Sequence, residues 1–333
     1  MELWARIAAL LVRDGVAALV TVVTADGSTP REAGARMAVG RDGGFSGTIG
    51  GGALEWQALA FAQSEMAAGV PRARLRTIAL GPELGQCCGG RVTVLVETFA
   101  AADLPALAPM LAAEKEGPFS TVAGRDAAGR FVRQVVAEAG GDPAAGTARL
   151  TADGRLEERF GITRRPLYLF GAGHVGRALV LALAPLPFAV TWVDPRPEAF
   201  PGAMPGNVMP VAPAEPEQLL ATAPDGAFVL VLTHSHALDF AIVHAALAAE
   251  RFPYVGLIGS ATKRARFTSR LRAAGVAEER IAGMICPIGG ARLVSKHPAP
   301  IAALTVAELV LADEAARAAV PDVTAAATAA GAR

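Results

Sequence analysis

The sequence predicts an α/β chain in two parts, an N-terminal α+β domain and a C-terminal doubly wound parallel sheet. Three observations predict it. Residues 167–170 form a short apolar run suited to a strand buried on both faces, and Gly171, Gly173 and Gly176 follow it at G-x-G-x-x-G spacing. A helical stretch and a second apolar run, 190–193, come next and end in Asp194, where an acidic residue binds a ribose diol in nucleotide-binding βαβ units. Beyond a proline-rich region, apolar runs at 227–232, 254–258 and 283–286 alternate with helical patterns at 240–250, 263–274 and 301–318. Strand and helix in alternation build a parallel sheet with helices on both faces, so the C-terminal half reads as Rossmann-like.

Each glycine of the motif has a separate task. Gly171 permits the tight turn out of the strand, Gly173 removes the side chain that would block an approaching pyrophosphate, and Gly176 lets the helix lie close to the sheet. The helix N-terminus then offers unpaired N–H groups and the positive end of its dipole to an anion, usually phosphate. His174 is an uncommon polar side chain beside that position, and Pro185 and Pro187 cut the helix short. Spacing alone leaves two readings open: a nucleotide site, or the same fold with a turn that is vestigial or serves another ligand.

The 333 residues are enough for two ordinary domains, and 52% apolar content supplies a core for each. Lys plus Arg and Asp plus Glu both number 31, so no basic excess argues for nucleic acid or an anionic membrane. No apolar run escapes interruption by Gly, Pro or charge over a bilayer's thickness, and the opening MELWARIAALLVRDG reads as an amphipathic helix rather than a cleavable leader. Three cysteines make no disulfide framework, which makes a reducing cytoplasm the expected setting.

From the first helix the chain runs through a β-branched strand at 16–24 and a turn at Asp26-Gly27-Ser28 into Thr29-Pro30-Arg31, with a short strand at 36–39. Seven glycines then crowd residues 40–52, ending in Gly50, Gly51 and Gly52 where a helix over 53–68 begins. This is a second glycine-rich helix start, with Glu55 in the first turn where the dipole favours a carboxylate that can also cap N–H groups. Strands follow at 75–80 and 92–99, then a helix at 101–117 and two strands at 119–123 and 131–138. Residues 140–161 are weakly patterned. The domains are therefore expected at 1–160 and 161–320, with 321–333 an alanine-rich, fraying tail.

Thiols and imidazoles mark the remaining candidates. Adjacent Cys87 and Cys88 cannot easily close on each other, and the glycine-flanked loop that carries them favours exposure of at least one thiolate, a soft ligand for a transition metal or sulfur. Cys87 is equally well read as a small core residue, and Cys286 leans to the core. His234 and His236, two apart, would share one side of an extended segment and with Asp239 could hold a metal; a hydrogen-bonding or pocket-lining role is the preferred reading.

Taken in order, several stretches resemble the xanthine dehydrogenase accessory family of XdhC/CoxI type: Gly27-Ser28-Thr29-Pro30-Arg31, Gly50-Gly51-Gly52-Ala53-Leu54-Glu55, Cys88-Gly89-Gly90, FGAGHVG from Phe170 to Gly176, Thr233-His234 with Asp239, YVGLIGS from Tyr254 to Ser260, and Pro287-Ile288-Gly289. The resemblance spans nearly the whole chain, and GQCCGG at 85–90 looks most like the branch that serves xanthine dehydrogenase itself. It implies an accessory chaperone rather than an enzyme, one that binds molybdenum cofactor (molybdopterin), protects it while a cysteine desulfurase supplies the terminal sulfido ligand, and hands it to xanthine dehydrogenase. A homodimer is expected, and an NAD(P)-dependent oxidoreductase is the alternative. The cofactor's phosphate suits a glycine-rich helix N-terminus, and Cys88 is the expected contact to molybdenum, with Cys87 beside it. Two departures stand out: Ala53 occupies a position where many relatives have cysteine, and GARLVSKHP at 290–298 leaves the usual pattern.

Overall fold

The computed structural model describes residues 2–81, 89–136, 148–290, 293 and 295–319, and the chain divides into two compact units between Thr163 and Arg164. The first unit opens with helix α1 (Leu3–Asp14), strands β1 (Val16–Asp26), β2 (Arg36–Gly40) and β3 (Phe45–Gly47), helix α2 (Gly52–Ala67), and strands β4 (Ala73–Ala79) and β5 (Arg91–Ala100). It continues with α3 (Leu104–Glu116), β6 (Phe119–Arg125), β7 (Phe131–Val136), β8 (Ala148–Leu150) and β9 (Leu156–Phe160). Its main sheet has the order β3-β2-β1-β5-β4 and is antiparallel throughout.

The apolar run in β1 is continuous because the strand is covered on both faces. Ala17 and Leu19 meet Trp4, Ile7 and Leu10 of α1, while Ala18, Val20 and Val22 meet Leu54, Ala58 and Ala62 of α2. A second antiparallel sheet, β7-β6-β9-β8, joins the first through buried charge. The Arg133 guanidinium donates to both oxygens of Glu97 on β5 and, through Nε at 2.7 Å, to Glu158 on β9, which also accepts from Arg36 of β2 at 3.2 Å. The weakly patterned stretch before residue 161 therefore holds two strands, β8 and β9. In β9 the inward positions are Leu156, Glu158 and Phe160, and the buried glutamate breaks the apolar alternation that would have announced a strand.

The second unit contains β10 (Arg165–Phe170), α4 (His174–Leu183), β11 (Phe188–Val193), β12 (Val208–Val211), β13 (Phe228–Val231), α5 (His236–Ala248), β14 (Tyr254–Leu257), α6 (Ala261–Ala273), α7 (Glu278–Ala282) and α8 (Pro298–Ala318). The strands form a wholly parallel sheet, β12-β11-β10-β13-β14, whose order reverses at β10. This is the Rossmann-like order, and it puts a crevice beyond the carboxyl ends of β10 and β13. Alternate residues serve opposite faces: Phe228 and Leu230 pack with Leu179 and Leu309, Val229 and Val231 with Ile242 and Phe267.

Three expectations need correction here. The proline-rich region contains the edge strand β12, which tolerates Pro210 because only one of its sides is paired. The run 283–286 is not a strand; a single parallel bridge, Gly256 to Ile285, stands in its place after the short helix α7. Helix α5 begins at His236 rather than Phe240, because the Ser235 hydroxyl accepts the Leu238 N–H and caps it. The expected tail at 321–333 lies outside the described residues.

Candidate functional site

The motif turn sits at the carboxyl end of β10. Gly171 has φ +117°, a conformation L side chains rarely adopt, and a Cβ there would stand 2.3 Å from the Leu232 carbonyl oxygen at the end of β13. A Cβ on Gly176 would stand 2.2 Å from the Gly171 carbonyl oxygen and 3.3 Å from Nε1 of Trp192, which itself donates to that oxygen at 3.0 Å. Gly173 differs: a Cβ added to it meets nothing within 4 Å. Its side faces open space, as does the exposed His174, the first residue of α4. No side chain caps α4 and its first turn carries no acid, so the positive end of the helix is left to an incoming anion.

Asp194 is buried, 2% exposed, and its carboxylate is fully engaged. One oxygen accepts the Ala172 N–H at 2.8 Å and Arg196 Nη2 at 3.0 Å; the other accepts the Arg196 N–H at 3.1 Å and its Nε at 2.9 Å. Burial by itself would raise its pKa, but the Arg196 guanidinium and these N–H groups outweigh it and hold the carboxyl below the usual range. A ribose diol at Asp194 would have to displace Arg196, a partner that the spacing rule did not show.

Beyond β13 and β14 a second cluster forms. Asp239, 1% exposed, accepts from the Thr233 N–H at 3.0 Å, the Thr233 hydroxyl at 2.7 Å and Lys263 Nζ at 2.6 Å; the lysine also donates to the Ile258 carbonyl at 2.8 Å. Lys263 thus ties the loops after both strands together, and nothing in the local pattern announced it, since it lies 24 residues from its partner. His234 stands exposed in the loop and His236 begins α5, with the extended Ser235 between them, and among the described residues no group of His, Cys, Asp and Glu is placed to hold a metal. Cys286 is buried at 4% exposure; burial pushes its thiol pKa up, against the opposing fields of Lys263 and Arg264.

In the first unit the glycine turn before α2 has a different content. Gly50, at φ +125°, would direct a Cβ to 2.5 Å from Pro30 Cγ, and Gly90 would direct one to 2.4 Å from the Ser28 carbonyl oxygen. The segment 27–31 is therefore wedged against both Gly50 and Gly90, bringing three separate motifs of the sequence to one place. Glu55 turns back over this turn, accepting from the Thr48 hydroxyl and from the Ile49 N–H at 3.1 Å. Although burial alone would raise its pKa, Thr48 and the backbone N–H groups of Gly51, Ile49 and Gly50 keep it below the usual range. Trp56, beside Glu55, is 72% exposed. Cys87 and Cys88 lie outside the described residues; Gly89 and Gly90, which follow them, lead into β5 at this cluster.

A model of the XdhC and CoxI family matches residues 11–78, and a model of the XdhC Rossmann domain matches residues 167–309. The uncharacterized protein YqeB of Escherichia coli (strain K12) is 26% identical over 304 residues, which make up 88% of this chain and 42% of that protein, so the chain spans less than half of this relative. A crystal structure named as a xanthine dehydrogenase from Bacillus halodurans shares the fold at a TM-score of 0.72 and 20% identity, over 95% of this chain and 96% of that one.

Proposed function

The chain belongs to the XdhC and CoxI family, and from that premise we propose that it is an accessory chaperone for xanthine dehydrogenase. It binds molybdenum cofactor, shelters it while a cysteine desulfurase renews the terminal sulfur, and passes it on, acting as a homodimer in the cytoplasm. The observation that carries this reading is the uncapped start of α4, where Gly173 leaves open space and the first turn of the helix carries no acid. A phosphate monoester such as the cofactor carries fits that place, with Gly171, Gly173 and His174 around it. The molybdenum and its exchangeable sulfur call for a soft ligand, the role assigned to Cys88 with Cys87 as its neighbour. The cluster of Gly27–Arg31, Gly50–Glu55 and Gly89–Gly90 surrounds the point where the segment bearing them rejoins the first unit.

An NAD(P)-dependent oxidoreductase remains the second reading, since the Rossmann-like order favours a dinucleotide; the occupied state of Asp194 counts against it. The test is to purify the protein with its molybdopterin content measured as fluorescent oxidation products, alongside assays of NADH oxidation with small carbonyl substrates. Bound pterin without NADH turnover is expected, and robust turnover without pterin reverses the order. Cys88→Ala should keep its thermal stability and lose both pterin and the ability to activate apo xanthine dehydrogenase, whereas Cys87→Ala is milder. Unchanged activation by Cys88→Ala removes the thiolate role.

A further inference from the structure

A groove of about 540 Å³ runs along α6, with His236 of α5 at one end. Its charged lining is of one sign, Lys263, Arg266 and Arg270, with no carboxylate, and His236 adds an imidazole. Three hydroxyls, Ser260, Thr262 and Ser269, stand among these cations. Positions 263, 266 and 270 follow helical spacing, so the three basic side chains form one stripe about 10 Å long at 1.5 Å per residue.

Elsewhere on the same helix the basic side chains have oxygen partners. Arg272 is paired with Glu278, and Arg264 donates to the Cys286 carbonyl at 3.0 Å. Along the groove only Lys263 has one among the described residues. Lys263 is anchored on Asp239, Arg270 lies 3.8 Å over the Phe240 ring, and Arg266 makes no ion pair or hydrogen bond among the described residues. The two flanking side chains are thus held in place with Arg266 between them; Arg266 and Arg270 face the groove with no carboxylate partner among the described residues, and like charges at this spacing repel one another on a helix. An anion relieves that repulsion. The Ser260 hydroxyl, whose oxygen accepts the Lys263 N–H at 3.3 Å, keeps its own hydrogen for a ligand.

We propose that the groove between α5 and α6 is a binding site for the phosphate of a phosphorylated small molecule. Interspersed hydroxyls and guanidinium forks match the several acceptor oxygens of a phosphate, and the volume lies in the range of small-molecule sites, roughly 300–1,000 Å³. The groove borders the carboxyl ends of β13 and β14, the edge at which ligands of open parallel sheets gather. The assignment does not depend on what occupies the Gly171 turn.

Arginine modification reads the groove without interference from any other phosphate site. The full-length protein is treated with phenylglyoxal and the modified residues are mapped by mass spectrometry, with phenyl phosphate, inorganic phosphate or sodium chloride added at matched ionic strength. Both phosphates should protect Arg266 and Arg270 saturably by at least about tenfold over chloride, with Arg272 unaffected, and in calorimetric titration Arg266→Ala/Arg270→Ala should lose one phenyl phosphate site while keeping the wild-type melting temperature. Protection no better than chloride overturns the proposal, as does an unchanged number of sites in the double variant. Protection by an oligoglutamate peptide but not by phenyl phosphate also overturns it, in favour of docking by an acidic protein segment.

Discussion

Two helices of this chain start at glycine-rich turns, and their N-termini reach opposite electrostatic states. At α2 the carboxylate of Glu55, in the first turn, folds back over the preceding turn and takes the Thr48 hydroxyl and the Ile49 N–H, so a negative charge already stands at the positive end of the helix although no side chain caps it. At α4 no side chain caps the helix, and the acid that comes nearest, Asp194, is spent on the Ala172 N–H and on Arg196. The same sequence grammar therefore gives one self-sealed turn and one receptive turn. An anion-binding helix start requires open space and uncommitted donors as well as glycines.

The largest expected effect comes from breaking the receptive turn itself. Gly176→Val and Gly171→Ala each force a Cβ to within 2.2–2.3 Å of a backbone oxygen, which no rotamer change relieves. Each should destabilise the second unit by about 3 kcal/mol or more and lower its melting temperature by on the order of 10 °C, measured by calorimetry. A melting temperature within two or so degrees of wild type would mean that neither glycine is pressed against its neighbour.

Next in size, Glu55→Ala should cost about 1 kcal/mol by removing the acceptor of the Thr48 hydroxyl and the Ile49 N–H and the acid that the α2 dipole favours. It should also convert the sealed turn into a receptive one, so that phosphate titrations find an additional weak site. No gain of binding would show that donors alone do not make the difference between the two turns.

Asp194→Asn should cost about 1 kcal/mol, since the Ala172 N–H keeps an acceptor while the charge toward Arg196 is lost. Because the folded pKa of Asp194 is depressed, its stabilisation is complete above the ordinary aspartate value of about 3.9 and fades as pH falls through the lower folded value. Acid melts of wild type and variant should therefore differ by a constant amount at pH 5–8 and converge below about pH 4; a difference that persists into acid would rule out the ionised pair as its source.

The smallest stability change belongs to Gly173→Ala, within about 0.5 kcal/mol because its Cβ enters open space. Under the proposed function it nevertheless lowers bound molybdopterin, and equal cofactor content in wild type and variant would take the ligand away from this turn.

The two glycine turns were both legible as helix starts, because glycine content, an apolar period and a preceding strand are local signals. The parallel sheet was equally legible in the buried runs of β10, β11, β13 and β14. Elements in which a polar or rigid residue occupies a structural position were not. Glu158 hides β9 because its burial depends on Arg133 and Arg36, Pro210 hides β12 because only an edge tolerates it, and β3 hides among glycines because three residues paired to β2 suffice to hold it. At the candidate site, Asp239 was visible but Lys263 was not, since an ion pair across 24 residues leaves no periodic trace.

Local backbone chemistry is what the sequence determined by itself: where glycine is needed for a positive φ or a close approach, where apolar periods of two and 3.6 change over, and where the strand order could reverse. Tertiary structure decided which of the resulting donors and charges stay available. Glu55 closes over the turn before its own helix because the chain ahead of α2 curls back within reach of its carboxylate, and Asp194 is consumed because Arg196 folds onto it at the crevice. Burial makes any unpaired charge or N–H costly, so each finds whichever partner the packed chain brings close, and proximity across tens of residues is written only in the fold.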